Sequence, residues 1–361
     1  MKKKIGIIVT IALIIFFIVG CASSMTKKIS KEKVKNLSKN EVITENNNNK
    51  NIIIESKGQN NKTPLEINGK LSVKEKNIVN KDGNIFLIQG VSTHGIAWFP
   101  EYVNLETFKT LRDTFNANTI RIAMYSNPND GYNTSLHSKV SEGVEYAKSL
   151  GMYVIIDWHI LNDNNPNQNK ENAKKFFSEM TEKYKDYDNI IYEICNEPNG
   201  NVKWENDIKP YAKELISTIR EKDDDAIIIV GTPTWSQDVD IVSKSPIEGE
   251  KNIVYALHFY AATHKQDLRN KLKTALDNNL PILVSEFGIC DASGNGNIDI
   301  NEANTWIQYL RKNGIGYVCW NLSNKNESSA ILKETTKKTS NWTDEELSEE
   351  GKWLKEIYKE K

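Results

Sequence analysis

The tightest constraint on this chain is a rhythm: eight short, almost wholly apolar runs alternate with amphipathic segments. The runs are Phe86–Val91, Asn118–Ala123, Tyr153–Asp157, Ile190–Cys195, Ile227–Gly231, Ile253–His258, Ile282–Glu286 and Tyr317–Trp320. Each has strand length and is rich in β-branched and aromatic residues. A strand that is apolar on both sides needs cover on both faces, which a parallel sheet wrapped by helices supplies. The intervening segments repeat apolar residues at i, i+3 and i+4. Examples are Val140, Val144 and Ala147 before Gly151, then Tyr211, Leu215 and Ile219, then Leu268, Leu272 and Ala275, then Ala303, Ile307 and Leu310 before Gly314. The interval between the fifth and sixth runs is short and predicts a reduced helix. Eight strand–helix units over roughly 300 residues fit a closed (β/α)8 TIM barrel of the α/β class. A doubly wound sheet shares the alternation, but no glycine-rich phosphate turn follows the first run.

Leu71–Val73 and Asn77–Val79, with an Asp82-Gly83 turn behind them, predict a short N-terminal β-hairpin, so the barrel domain is set at residues 64–361. Ahead of it lie two segments of different character. Lys2, Lys3 and Lys4 precede an apolar stretch from Ile5 to Val19, about 15 residues against the ~20 of a membrane span, so a cleaved secretory signal is expected over residues 1–20. Its end, Gly20-Cys21, resembles a bacterial lipobox, which would make Cys21 a lipidated residue and hold the protein on the outer face of the cell membrane. A plain signal peptide and full secretion remain open. Residues 21–63, rich in Asn, Lys, Ser and Glu, read as a flexible tether. Three further cysteines, Cys195, Cys290 and Cys319, sit in or beside apolar runs and read as buried thiols, with a Cys290–Cys319 bridge left open by spacing.

The informative residues are polar ones at the ends of apolar runs, because an unpartnered polar side chain in a buried strand costs several kcal/mol. The first run leads to His94, and the second carries Arg121 and reaches Tyr125. The third ends Asp157-Trp158-His159, and the fourth Cys195-Asn196-Glu197-Pro198. The fifth leads to Thr232-Pro233-Thr234-Trp235, the sixth to His258-Phe259-Tyr260, the seventh to Ser285-Glu286 and the eighth to Trp320-Asn321. Any one of these could be a satisfied structural residue. In a barrel, however, all eight ends ring one face, the face that carries active sites. Glu197 and Glu286, on the fourth and seventh runs, make a pair suited to cleaving a glycosidic bond, where one carboxyl gives a proton and the other attacks or activates water. Their bland alternative is a structural ion pair with Arg121, which by its charge can instead hold Glu286 ionised. Asn196 is placed to bond a sugar hydroxyl.

Other chemistries lack their residues. Five scattered histidines form no HExxH pair for zinc, no GxSxG elbow occurs, and no phosphate or dinucleotide fingerprint is present. No metal or cofactor is expected. A net charge of -1 leaves no basic footprint for nucleic acid. Monomer is the default state.

The segments Gly90–Gly95, Asn118–Arg121, Asp157–His159, Ile194–Pro198, His258–Tyr260, Ser285–Gly288 and Trp320–Lys325, in this order, resemble glycoside hydrolase family 5, and within it the bacterial endoglucanase branch of cellulase A type. The resemblance covers about Leu65 to the end. It implies Glu197 as acid/base and Glu286 as nucleophile of a retaining endo-β-1,4-glucanase. Arg121 would hold the nucleophile, Asn196 would bind the 2-hydroxyl, and His258 and Tyr260 would tune the two glutamates. His94 and His159 would bind the same sugar, and Trp320 would be its stacking platform unless it is simply a core residue. Trp98 and Tyr125 would line neighbouring subsites, Lys325 and Glu327 would touch substrate from the last loop, and Trp204 and Trp235 lie in loops suited to further stacking. A β-mannanase, xyloglucanase or mixed-linkage glucanase on the same barrel is the first rival. The second is a surface lipoprotein that binds oligosaccharide without cutting it, although a binder would not need both glutamates.

Overall fold

The computed structural model describes residues 52–53 and 62–360. The expected signal segment, Cys21 and all of the tether except Ile52, Ile53, Lys62 and Thr63 lie outside these. Eight parallel strands close into a barrel: β1 (Gln89–Thr93), β2 (Thr119–Tyr125), β3 (Tyr153–His159), β4 (Ile190–Glu193), β5 (Ile227–Val230), β6 (Ile253–Tyr260), β7 (Ile282–Gly288) and β8 (Tyr317–Leu322). They pair in chain order, and β8 closes the ring on β1. Each strand is followed by a helix: α1 (Leu105–Phe115), α2 (Leu136–Ser149), α3 (Lys170–Tyr184), α4 (Lys209–Arg220), the one-turn α5 (Val239–Val242), α6 (Gln266–Asp277), α7 (Ile300–Lys312) and α8 (Glu349–Ile357). The reduced helix expected after the fifth strand is α5. Among the described residues no helix is long and apolar enough to cross a membrane.

The alternation of side chains along each strand sorts two cores. In β3, Val154, Ile156 and Trp158 join the large cluster between strands and helices, while Tyr153 and Ile155 join the barrel interior. The interior is filled at its lower end by Ile191, Ile227, Ile229, Val254, Leu283 and Val318, and Leu71, Ile78 and Phe86 plug it from below. Its upper end is polar and aromatic. The period of two that sends Tyr153 and Ile155 inward also sends Asp157 and His159 inward, now at the mouth.

Two boundaries differ from the sequence reading. The first apolar run is split: Ile85–Phe86 belongs to the sheet beneath the barrel, antiparallel to Asn77–Val79, and only Gln89–Thr93 enters the ring. The split is pinned by Asn118, whose Oδ1 accepts from Gln89 N and whose Nδ2 donates to Leu87 O, both at 2.9 Å. The lower sheet also extends beyond the expected hairpin of Ser72–Lys74 and Asn77–Val79, because Ile52–Ile53 pairs in parallel with Ile85–Phe86. A short helix, Pro64–Asn68, opens the domain on a capping box between Thr63 and Glu66. Cys195, Cys290 and Cys319 are buried free thiols, so the bridge left open by spacing is not formed.

Candidate active site

The strand ends converge on a cleft of about 550 Å³ at the C-terminal face. Glu197, Glu286, His258, Tyr260, His94, His159, Tyr125, Trp320, Trp235, Lys325 and Glu327 line it, so eleven residues singled out in the sequence meet in one place. Arg121 and Asn196 lie behind its wall, fully buried. Trp98, half exposed, stands at the rim with its ring 4.7 Å from that of Tyr125. Trp204 does not reach the cleft. It is buried against Tyr255 and spends its indole N–H on Ser245 O at 2.8 Å, so its expected stacking role is withdrawn.

Glu286 is aimed by a bulge. From Val284 to Phe287 β7 spends three residues where β8 spends two, Tyr317 to Cys319. Val284 and Phe287 both pack outward, so Ser285 and Glu286 together occupy the interior side. Glu197 follows β4, where the ladder has ended, and its backbone N–H reaches Ile160 O at 3.1 Å. The close approach of the β4 and β5 ends requires Gly231, since a Cβ there would lie 2.2 Å from Cys195 O. One carboxylate oxygen of each glutamate and one ring nitrogen of His258 lie within 4.8 Å of one another.

Arg121 organises the floor. Its Nη1–H donates to Glu286 Oε2 at 3.3 Å and to Ser92 Oγ at 3.2 Å. Its Nε–H donates to Glu193 Oε2 at 2.7 Å, and Nη2 lies 2.5 Å from Asn196 Oδ1 and 3.1 Å from Asp157 Oδ2. Three acids thus surround one wholly buried guanidinium and raise its pKa against the effect of burial. Replacing Arg121 by Met would leave Glu193, Glu286 and Asp157 buried without their shared cation, and a loss of about 3–5 kcal/mol in unfolding free energy is expected by urea denaturation.

The two glutamates sit in unlike surroundings. Burial pushes Glu197 up to about 8, with Asp157 and Glu193 adding to the rise and Arg121 opposing it. Its hydrogen-bond partner is His258 Nδ1, 2.9 Å from Oε1. Glu286 is also pushed up by burial and by the charge of Glu197, and the Arg121 guanidinium pulls it back. It holds an ion pair to Arg121 and accepts the Tyr260 hydroxyl at 2.7 Å. Once Glu197 keeps its proton, its charge no longer opposes ionisation of Glu286. Between the two, the ion pair to Arg121 favours charge on Glu286 and burial favours the proton on Glu197.

Aromatic rings form the neighbouring wall. Trp320 stacks on His159 at 5.0 Å, and Tyr125 lies 4.3 Å from the same imidazole. His159 is tied through Nδ1 to Asp157 Oδ2 at 2.7 Å and is held down to about 3 by burial and Arg121. His94, likewise about 3 from burial and Lys325, meets Lys325 Nζ at 3.3 Å, and Lys325 pairs with Glu327 at 2.7 Å. Trp235 stands opposite in an unusual backbone. Thr234, Trp235 and Ser236 all have φ between 54° and 58°. Left-handed non-glycine residues cost roughly 1–2 kcal/mol each, and here Ser236 Oγ donating to Asn196 O at 2.6 Å and Trp235 N donating to Pro198 O at 3.1 Å hold the turn.

The sequence reading missed Glu193 and gave no role to Ser285 or Asp157. Glu193 had a visible signal, since it is an acid two residues after Ile191 on the interior face of an apolar run. Among the described residues the Glu197–His258–Glu286 cluster is the one whose donor atoms could converge on a cation. Both nitrogens of His258 are, however, already committed, to Glu197 and to Ser285 Oγ at 2.9 Å.

A (β/α)8 barrel whose mouth brings two carboxyls together among aromatic rings has the layout of a glycoside hydrolase. Comparison with known proteins makes this narrower. Residues 79–326 match the family model described as cellulase, glycosyl hydrolase family 5. The chain belongs to that family. It is 48% identical over 302 residues to endoglucanase A of Butyrivibrio fibrisolvens and 48% identical over 296 to endoglucanase N of Pectobacterium atrosepticum, each match covering 81% of this chain. These matches span 70% and 66% of the relatives' own lengths. Among solved structures, Cel5A of Thermobifida fusca, an endoglucanase catalytic domain in complex with cellotetraose, is 33% identical with a TM-score of 0.77, covering 83% of this chain and all of that one. Cellulase Cel5C_n is 37% identical with a TM-score of 0.80, covering 84% of this chain and 96% of that one.

Proposed function

We propose that this chain is an endo-β-1,4-glucanase that works with retention of configuration, Glu286 as nucleophile and Glu197 as acid/base. The observation that carries the reading is the separation of the two acids, whose nearest oxygens lie within 4.8 Å. Retaining enzymes hold their carboxyls about 5–5.5 Å apart, whereas inverting ones need about 6.5–9.5 Å to admit a water. Glu286, positioned by Arg121 and Tyr260, attacks the anomeric carbon while Glu197 protonates the leaving oxygen. The glycosyl–enzyme ester then yields to a water that Glu197 deprotonates. Neither step needs a cofactor.

The endo-glucanase names of the relatives and the cellotetraose of the Thermobifida neighbour support a β-1,4-glucan substrate. The flat faces fit it too. Trp320 is the platform for the sugar being cleaved, with His94 and His159 bonding its hydroxyls and Asn196 fixed by Arg121 behind it. Trp98 and Tyr125, in contact with each other, and Trp235 extend the aromatic surface, and Lys325 and Glu327 border the cleft from the loop after β8. A lipid on Cys21, joined by the tether of residues 21–63 to the barrel of residues 64–361, would hold a monomeric enzyme outside the cell. Gly20-Cys21 after the apolar run supports this part.

The test is hydrolysis of carboxymethylcellulose, lichenan, mannan and xylan by the purified protein, with the anomer followed by NMR. Fast release of β-configured cello-oligosaccharides is expected. An α-anomer as first product, or mannan as the preferred substrate, would overturn the reading.

A further inference from the structure

We propose that Glu193 and Ser285 are positioning residues that fix the tautomer of His258 and, through it, keep the proton on Glu197. One line of hydrogen bonds crosses the barrel floor. Arg121 Nε–H donates to Glu193 Oε2 at 2.7 Å, and the other oxygen, Oε1, accepts the Ser285 hydroxyl at 2.7 Å. A hydroxyl carries a single proton, and Ser285 has spent it on Glu193. At its second contact, 2.9 Å to His258 Nε2, Ser285 Oγ can only accept. His258 Nε2 therefore carries the ring hydrogen. Burial holds the imidazole down to about 4 against the pull of Glu286 and Glu193, so the ring is neutral near pH 7. Its Nδ1 is then a bare lone pair facing Glu197 Oε1 at 2.9 Å.

Two lone pairs at that distance repel, and a proton on Oε1 turns the contact into an O–H···N bond. The tautomer thus sets the sign of the effect. With hydrogen on Nδ1, the same ring would donate to Glu197 and favour its ionised form. The other charged or titratable groups packed around the pair are Arg121 and Tyr125 from β2, Asp157 and His159 from β3, Tyr260 from β6 and Glu286 from β7. Among these described neighbours Arg121 alone is a fixed cation. Rotation about the last torsion of Glu197, which is soft, turns the same O–H toward a leaving oxygen.

This rests on reading Glu197 as the proton donor, and the experiment separates the two claims. The first measurement uses no substrate. Nitrogen NMR of histidine-labelled protein, with His258 assigned by its loss in His258→Asn, should show the Nε2–H tautomer from pH 6 to 7.5. Ser285→Ala should admit the Nδ1–H form, and Ser285→Thr, which keeps the hydroxyl, should not. An Nδ1–H ring in the unsubstituted protein overturns the proposal whatever the activity. The second measurement is kcat/KM against pH. Ser285→Ala should move the alkaline limb down by about one pH unit, a tenfold change in proton affinity, while Ser285→Thr leaves it in place. A fall in kcat with an unmoved limb in Ser285→Ala also overturns it. Absence of glucan hydrolysis by the unsubstituted chain would sink the functional reading, and the NMR result would still stand or fall alone.

Discussion

Glu286→Gln is expected to lower kcat on a β-1,4-glucan by roughly 10⁴–10⁶-fold, with KM little changed. The amide keeps the volume of the acid and can still meet Tyr260 and Arg121, which now bond Glu286 at 2.7 and 3.3 Å. What it loses is the charge that attacks the anomeric carbon, so no covalent intermediate forms. Stability should not fall in proportion, because the substitution also removes one of the buried acids crowded around Arg121. Steady-state kinetics beside a thermal melt separate the two effects. Near-normal turnover by the folded variant would remove Glu286 from the chemistry altogether, whereas intact oligosaccharide binding with no turnover is the result that fits a nucleophile.

Glu197→Gln should cost less and in a different pattern, about 10²–10⁴-fold on unactivated glucan. An aryl cellobioside with a good leaving group needs little protonation, so its first step should survive and its second, which needs the base, should become limiting. A burst of released phenol followed by slow turnover is the expected trace. The pH profile carries the same information. Glu197 is active when protonated and titrates at about 8, so kcat/KM should fall above that pH. Glu286 must be ionised, and burial raises it, so the acid limb should lie above the ordinary carboxylate value. In Glu197→Gln the alkaline limb should vanish, because an amide does not titrate there. A limb that persists near pH 8 in the variant would assign it to another group.

Much of the site was legible because buried strands leave polar residues conspicuous. His94, His159, Glu197, His258 and Glu286 all stood at the ends of apolar runs and Arg121 inside one, and their convergence followed from the closed ring alone. Trp204 and Trp235 show the limit of that reasoning. Both are tryptophans in mouth loops, yet one is buried with its N–H on Ser245 and the other stands 44% exposed over the cleft. Loop composition does not distinguish a ring that packs inward from one that is presented, because the choice depends on what the rest of the barrel places beneath it. Glu193 and Ser285 show the opposite failure. They were in plain view, but their roles depend on partners far away in the chain, Arg121 and His258.

By itself, then, the order of residues determined the eight-fold strand–helix alternation, the closed barrel, the face that carries the site and the two acids on it. These follow from short-range periodicity and from the cost of burying polar groups, both of which are written locally. Only the tertiary structure decided how the acids are used. The extra residue between Val284 and Phe287 turns Ser285 and Glu286 inward together, and the line from Arg121 to Glu197 joins β2, β4, β7 and β6. A bulge is a mismatch between two strands, and a shared proton belongs to a set of neighbours, so neither exists until the ring has closed.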